Sequence, residues 1–170
     1  AVPQRAKFVL SWANHPRVTP LAVPASTLHM AAHRGMEVVV LRPDGFALPS
    51  EVMDKARTAA AAAGGSVRET DDRAEALAGA QILYAKEWGS TRHYGDAAGD
   101  AALRAGLQDW TVREDWFSRS QPDCKFMHCL PVRRNVAVAD EVLDGPRSIV
   151  QREAYNRLPA QMAVLHRLLA

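Results

Sequence analysis

The sequence predicts an α/β fold, a doubly wound three-layer αβα domain with a mostly parallel sheet. Three observations predict it. Short apolar runs alternate with helix-forming segments through the first half of the chain. Glycines end those helix-forming segments, and loops rich in proline or polar residues follow the apolar runs. Parallel strands joined by helical crossovers satisfy this alternation, and 170 residues, 48% of them apolar, suffice for one such domain.

Four strands and three helices are predicted in the first half of the chain. The strands are short and mostly apolar, as buried strands are. Ser26 and Ser50 stand where helix N-caps are expected, while Gly35 and Gly64 end two helices. The predicted order is strand 7–12, helix 26–34, strand 36–41, helix 51–63, strand 66–70, helix 71–78 and strand 81–86.

The second half is less regular up to Arg119. Its predicted elements are a helix near 111–119, a strand over 125–128, a short strand over 148–150 and a closing helix over about 153–169. The closing helix is amphipathic, because Met162, Leu165, Leu168 and Leu169 fall on one face. We expect one domain over residues 1–170, since no repeat or linker interrupts it.

Composition and missing motifs exclude several classes of function. The 21 Lys and Arg against 19 Asp and Glu leave a formal net charge of +2, so nucleic acid is not an expected partner. No apolar stretch matches a membrane helix or a signal peptide, so no membrane partner is expected. Dinucleotide, P-loop and hydrolase-elbow motifs are also missing. Cys124 and Cys129 alone cannot form a disulfide framework, which fits a cytoplasmic location.

Basic side chains follow three of the predicted strands. Because the carboxyl ends of parallel strands share one edge of the sheet, we expect these side chains at one crevice, without a compensating cluster of acids. Such a crevice suits a multiply anionic ligand, a phosphate or a carboxylate. For each residue alone, a solvated surface charge is the alternative interpretation. The residues are His15, Arg17, Lys86, Arg133 and Arg134.

The loop HCLP over residues 128–131 is the most informative feature. Pro131 predicts an extended backbone whose carbonyls cannot all pair in a sheet, so they can accept from an NH2 group. Cys129 could instead be a nucleophile, although no base is identifiable, or a buried structural residue. His29 and His33 could share a metal on a helix, but the Glu of H-E-x-x-H and a third ligand are missing.

Several segments carry specific motifs. FMHCLPVRRN at 126–135 is followed by ADEVLDGPRSIV at 139–150 and EAYNR at 153–157. Together they resemble the carboxyl-terminal half of an ornithine-type transcarbamylase. KFVLSWANHPR at 7–17 resembles the strand that opens the second domain of that family, and ILYAKEWGS at 82–90 resembles its middle strand. The resemblance covers nearly the whole chain and implies the second-domain fold of a transcarbamylase.

The segment YAKEWGS indicates a branch of that family. Ordinary ornithine transcarbamylases have an acidic D-x-x-x-S-M-G pattern suited to the charged α-ammonium, whereas Lys86 stands here. A cation is favourable if the α-nitrogen is acylated and neutral, so the sequence resembles the N-acetylornithine and N-succinylornithine enzymes. Arg17, in the segment HPR, offers a contact for a succinyl carboxylate. Ala137 lies where acetyl-type enzymes carry a modified lysine, which also favours the succinyl type.

The resemblance implies carbamoyl transfer from carbamoyl phosphate to the δ-amine of an N-acylornithine, giving N-acylcitrulline and phosphate in arginine biosynthesis, with no cofactor or metal. By the same resemblance, the backbone of Cys129 and Leu130 accepts from the carbamoyl NH2 and aligns the amine. His128 orients that loop. The residues implied for carbamoyl phosphate are Cys129, Leu130, Arg133 and Arg157, those implied for the acylornithine are His15, Arg17, Lys86 and Leu130, and the catalytic ones are Cys129, Leu130 and Arg133.

Two motifs of the family are missing. The S-T-R-T and H-P-x-Q segments of its carbamoyl-phosphate domain do not occur, and the HPRV that begins at His15 is not that motif. We therefore expect the chain to be the second domain of a transcarbamylase and to be inactive alone. The resemblance implies a homotrimer for the full-length enzyme and leaves the oligomeric state of this chain open. A non-catalytic amino-acid- or phosphate-binding module, a plain domain binding another phosphate, and an ordinary ornithine carbamoyltransferase are the alternatives.

Overall fold

The structure, a computed structural model, describes residues 5–170. Its centre is a five-stranded sheet in which every neighbouring pair of strands is parallel. The predicted α/β class with a parallel sheet is confirmed. In chain order the strands are β1 Lys7–Trp12, β2 Glu37–Leu41, β3 Ser66–Thr70, β4 Ile82–Lys86 and β5 Lys125–Met127.

The strand order across the sheet is β3-β2-β1-β4-β5. The chain therefore starts at the centre with β1, moves outward through β2 and β3, and then returns to place β4 on the other side of β1. Loops leaving β1 and β4 diverge at this reversal. In open parallel sheets, ligands bind in the crevice that such a reversal opens at the carboxyl ends of the strands.

Within residues 5–170, six α-helices accompany the sheet, and two short 3-10 segments lie between the fourth and the last strand. The helices are α1 Ala22–His33, α2 Ser50–Ala62, α3 Arg73–Leu77, α4 Ala97–Arg104, α5 Asp140–Leu143 and α6 Val150–Leu169, and the 3-10 segments are Gln108–Trp110 and Glu114–Arg119.

The predicted starts of the first two helices were wrong. α1 begins at Ala22 rather than Ser26, because Pro24 is tolerated in a first turn, where backbone N–H groups have no helical partner. Ser50 is the first residue of α2 rather than its cap, and Pro49 is the N-cap. The predicted end of α1 is confirmed at Gly35, where φ is +67° and an added Cβ would lie 2.4 Å from the Ala63 carbonyl oxygen.

In the second half of the chain, the prediction missed α4 and α5. The helix predicted near 111–119 is instead a 3-10 segment, Glu114–Arg119. No strand forms over 148–150, because Ser148 makes a single bridge to Phe126 and Val150 already begins α6. β5 ends one residue earlier than predicted.

The apolar runs of the central strands pack on both faces. Every residue of β1, β2 and β4 is buried except the first residue of β1 and of β2. Sheets covered by helices on both faces have such continuous apolar strands. Beyond the end of β1, the Trp12 ring packs 4.6 Å from the Phe46 ring and edge-on to Trp110 at 6.0 Å. The core thus extends to the edge where the loops leave the sheet.

α6 extends away from this core. Only Val150 of its 20 residues is buried. The apolar residues beyond its first turn are exposed by 55–83%, and they are Tyr155, Leu158, Met162, Val164, Leu165, Leu168 and Leu169. The predicted closing helix is confirmed, but within residues 5–170 its apolar face packs against nothing. None of the helices described here is long and apolar enough to cross a membrane.

Candidate active site

Three loops leave the same edge of the sheet. Trp12 at the end of β1 is in register with Lys86 at the end of β4, and Tyr84 of β4 is in register with Met127 at the end of β5. The segments that follow these strands therefore begin side by side. Together with Lys86 at the end of β4, they carry all the basic residues predicted for the crevice, while Arg157 lies on α6.

Lys86, Glu87 and His128 form a buried chain of contacts at this edge. Lys86 Nζ lies 2.9 Å from Glu87 Oε1, and His128 Nε2 lies 3.1 Å from Glu87 Oε2. All three residues are no more than 7% exposed. One carboxylate thus joins the end of β4 to the HCLP loop.

The His128 ring extends this chain to the backbone of the loop. Leu130 N–H donates to His128 Nδ1 at 3.2 Å, so the proton of a neutral imidazole lies on Nε2 and points at Glu87. Leu130 has a φ of +46°, which contradicts the predicted extended backbone, because its N–H turns back toward His128. Non-glycine residues in this left-handed region cluster at functional sites. Within residues 5–170, no hydrogen bond reaches the carbonyls of Cys129 or Leu130.

Glu153 joins the first turn of α6 to the same loop. Its Oε2 accepts from His128 N–H at 3.2 Å, and its Oε1 accepts from the Tyr84 hydroxyl at 2.9 Å. Burial raises the pKa of the Glu153 carboxyl, and burial with the adjacent Glu153 charge raises the pKa of Tyr84. These two hydrogen bonds fix the first turn of α6 relative to the HCLP loop, and therefore also the position of Arg157 one turn later.

Glu87 is strongly acidic. Burial alone would raise its pKa, but its hydrogen bonds to His128 and Lys86, together with the Lys86 charge, outweigh burial and lower the pKa from 4.5 to about 2. Because the folded-state pKa lies below the unfolded one, the stabilisation is complete above pH 4.5 and is lost as the pH falls toward 2.

We expect acid unfolding to report this carboxylate. A pKa lowered to about 2 corresponds to at most about 3 kcal/mol of stability above pH 4.5. Glu87→Gln should flatten the dependence of the unfolding free energy on pH between 4.5 and 2, measured by urea titration at each pH. Glu114→Gln, at an exposed ion pair with Arg147, is the matched control. An unchanged slope in Glu87→Gln would contradict the assignment.

The environment of Cys129 does not favour a nucleophile. Burial raises the pKa of its thiol, and that of Cys124 in the same way. A raised pKa leaves little thiolate, the reactive form. His29, which was weighed above as a metal ligand with His33, contacts the Val52 carbonyl at 3.1 Å, and no cluster of three ligands occurs among the described residues.

The expectation of a crevice without compensating acids was wrong. Lys86 pairs with Glu87, and Arg134 pairs with Asp140 and Asp144. Sequence spacing did not reveal these pairs. Asp140 and Asp144, which pair with Arg134, lie at the two ends of α5. The side chain of Glu87 turns back toward the end of β4.

The remaining predicted site residues are not all brought together. His15 Nδ1 lies 3.1 Å from the Arg17 backbone N, and the Arg17 side chain is exposed. Arg133 and Arg157 are exposed, and within residues 5–170 neither forms an ion pair. These three guanidinium groups are therefore accessible to an anion.

Separate cavities open along this edge. The one between the loops after β1 and β4 has a volume of about 590 Å³ and is lined by Val18, Thr19, Pro20, Leu21, Gly89, Ser90, His93, Tyr94, Gly95, Asp96 and Ala97. It contains none of the predicted residues. His15 lines a cavity of about 300 Å³ and Leu130 one of about 360 Å³.

Arg104 and Asp100 are structural residues of the site that the sequence analysis missed. They form a buried ion pair on α4. Arg104 also donates to the carbonyls of His15 at 3.1 Å and Trp88 at 2.9 Å, and Asp100 Oδ2 accepts from Ser90 N–H at 2.7 Å. The pair therefore joins the loop after β1 to the loop after β4. The D-x-x-x-R spacing was the available signal, since residues four apart face each other on a helix.

Comparison with known proteins places the chain in a family. Residues 22–168 match the family described as aspartate/ornithine carbamoyltransferase, Asp/Orn binding domain. An N-acetylornithine carbamoyltransferase of Xanthomonas campestris pv. campestris is 38% identical over 160 residues, 94% of this chain and 47% of the relative. An N-succinylornithine carbamoyltransferase of Bacteroides fragilis is 36% identical over 165 residues, 97% of this chain and 47% of the relative.

Two further comparisons bear on the substrate. An ornithine carbamoyltransferase of Methanoculleus marisnigri is 39% identical over 145 residues, 85% of this chain and 45% of the relative. A crystal structure of acetylornithine transcarbamylase with acetylcitrulline superposes with a TM-score of 0.91 at 37% identity, covering 94% of this chain and 48% of that one. The chain thus spans about half the length of the curated relatives it matches. It belongs to the aspartate/ornithine carbamoyltransferase family.

Proposed function

We propose that this chain is the acylornithine-binding half of an N-acylornithine carbamoyltransferase. The reaction is transfer of the carbamoyl group of carbamoyl phosphate to the δ-amine, giving N-acylcitrulline and phosphate. The observation that carries the proposal is the Lys86–Glu87–His128 chain. Both oxygens of Glu87 are occupied, so this carboxylate beside Lys86 has no oxygen left to bind the α-ammonium of free ornithine.

Acylation changes the charge that the site must recognise. An N-acylornithine has a neutral α-nitrogen and a negative α-carboxylate, and Lys86 provides a cation for that carboxylate. His15 lies in the neighbouring loop, since β1 and β4 end in register. We assign both residues to the acylornithine.

The HCLP loop supplies the acceptors for the carbamoyl group. The Cys129 and Leu130 carbonyls have no partner within the described part of the chain, so they can accept from the carbamoyl NH2 and orient the attacking amine. Arg133 follows this loop, and Arg157 follows Glu153 by one helical turn. Their exposed guanidinium groups suit the phosphate of carbamoyl phosphate.

The succinyl substrate is favoured over the acetyl one by two residues. The exposed Arg17 guanidinium can bind a succinyl carboxylate. Ala137 is completely buried and carries no group that could contact an acyl chain. A relative named for each acyl group matches the chain at a similar identity, so this preference rests on the residues alone.

The proposed enzyme needs a second half. We propose that a carbamoyl-phosphate domain of similar size, as in the relatives that are twice as long, completes the site, and that the unpartnered apolar face of α6 packs against it. The complete enzyme would be a cytoplasmic homotrimer of arginine biosynthesis. The Methanoculleus marisnigri relative keeps ordinary ornithine carbamoyltransferase as the second candidate function.

Product formation from carbamoyl phosphate tests the proposal. The full-length protein that contains this chain should carbamoylate N-succinylornithine or N-acetylornithine and leave ornithine unchanged, when the three are assayed in parallel. The 170-residue chain alone should give no product, because half of the site is missing. Turnover of ornithine alone would support the second candidate. No turnover of any substrate by the full-length protein would indicate a binding module.

A further inference from the structure

We propose that Lys86 masks an ammonium site formed by Glu87, and that this pair determines the choice between acylated and free ornithine. The inference rests on the proposed function. It adds a role for Glu87 in specificity, and it predicts that Lys86→Ala reverses the preference for acylated over free ornithine.

The masking follows from the geometry of the pair. Glu87 is 5% exposed and ionised, and its Oε2 is held by His128 at 3.1 Å. Among residues 5–170, its other oxygen contacts only Lys86 Nζ, at 2.9 Å. Without the Lys86 amine, Oε1 would be a buried carboxylate oxygen without a counter-charge, a free-energy cost that a bound cation would offset.

The expected ligand for the unmasked oxygen is an amino acid's own ammonium. A substrate carboxylate that pairs with Lys86 places its α-nitrogen three bonds from the carboxylate oxygens, and therefore close to Glu87. An acylated α-nitrogen is neutral and can bind next to the Lys86–Glu87 pair without electrostatic repulsion. A protonated α-nitrogen is repelled by Lys86. Once Lys86 is removed, His15 in the neighbouring loop remains for the α-carboxylate, and the protonated α-nitrogen would pair with Glu87.

His128 and the backbone hold the carboxylate in place for either ligand. The Thr19 hydroxyl donates to the Glu87 carbonyl at 2.6 Å, which fixes the residue from the loop after β1. The His128 contact does not depend on Lys86. Removing the lysine therefore leaves an oriented acceptor rather than a mobile side chain.

The experiment compares four forms of the full-length protein that contains this chain. They are the wild type, Lys86→Ala, the double variant Lys86→Ala/Glu87→Gln, and Lys125→Ala as the control at an exposed lysine. In Lys86→Ala we expect kcat/KM to fall about tenfold or more for N-acylornithine and to rise about tenfold or more for ornithine. The double variant should lose the gain with ornithine, and the control should match the wild type.

The outcomes separate this inference from the proposed function. If the wild type uses an acylornithine and a folded Lys86→Ala loses it without gaining ornithine, the inference fails while the function stands. Wild-type turnover of ornithine alone overturns both. Circular dichroism establishes folding of each form. If Lys86→Ala is unfolded, refolding by ornithine but not by N-acetylornithine supports the masked site, and no rescue by ornithine contradicts it.

Discussion

Replacing Arg104 by methionine is expected to lower the free energy of unfolding by about 3–5 kcal/mol. The variant leaves Asp100, which is 1% exposed, without its counter-charge. It also removes the donors to the His15 and Trp88 carbonyls. The guanidinium lies 5.5 Å from the centre of the Trp12 ring and 5.1 Å from that of Phe46, so cation–π contacts are lost as well.

The matched control is Arg57→Met. Arg57 pairs with Asp54 at 2.9 Å on the surface of α2, with both side chains about half exposed or more. Exposed pairs of this kind contribute at most about 1 kcal/mol. Urea titrations of both variants give the comparison. Equal small losses would show that the Arg104–Asp100 pair is no more important than a surface pair.

Replacing His128 by phenylalanine is expected to cost about 2–4 kcal/mol and to impair carbamoyl transfer. Phenylalanine keeps the ring volume but leaves Leu130 N–H without its acceptor and Glu87 without its second donor. A buried polar group that loses its partner costs about 1–3 kcal/mol. Because the Leu130 backbone then loses its orientation, kcat should fall about a hundredfold in the full-length protein.

His33→Phe provides the control, since His33 is exposed on α1. It should change neither the unfolding free energy nor kcat appreciably. Retention of wild-type kcat by a destabilised His128→Phe would refute the role of His128 in orienting the loop. The loss of stability would then show that His128 supports the fold without contributing to catalysis.

The centre of the sheet was predictable because β1, β2 and β4 are short, mostly apolar runs of sequence. A short apolar run such as VVVL in β2 fits a buried strand in a domain of this size. Glycines such as Gly35 end the helices that connect the strands. α4 was not predictable from apolar periodicity, because its buried residues are charged. Asp100 and Arg104 face the core only because each neutralises the other, which requires the loops they contact to be already in place.

The site was predicted unevenly for a similar reason. Lys86 and the HCLP loop were found because they follow strands, and parallel strands bring their ends to one edge. The role of Glu87 was missed, since a single glutamate after a strand does not reveal that both of its oxygens are occupied. Glu87 and His128 are 41 residues apart in the sequence, and their contact depends on the folded loops. Such a contact produces no periodic pattern in the sequence.

The anchoring of α6 has a mechanical consequence. Glu153 is fixed by Tyr84 and His128 in the first turn, and the rest of the helix is free within the described residues. At 1.5 Å per residue, Leu169 lies about 24 Å and Arg157 about 6 Å from Glu153. A tilt of about 10° around Glu153 therefore moves Leu169 by about 4 Å but Arg157 by only about 1 Å. The helix acts as a lever that pivots at Glu153 in the site. A large displacement of its carboxyl-terminal end therefore produces a much smaller displacement of Arg157.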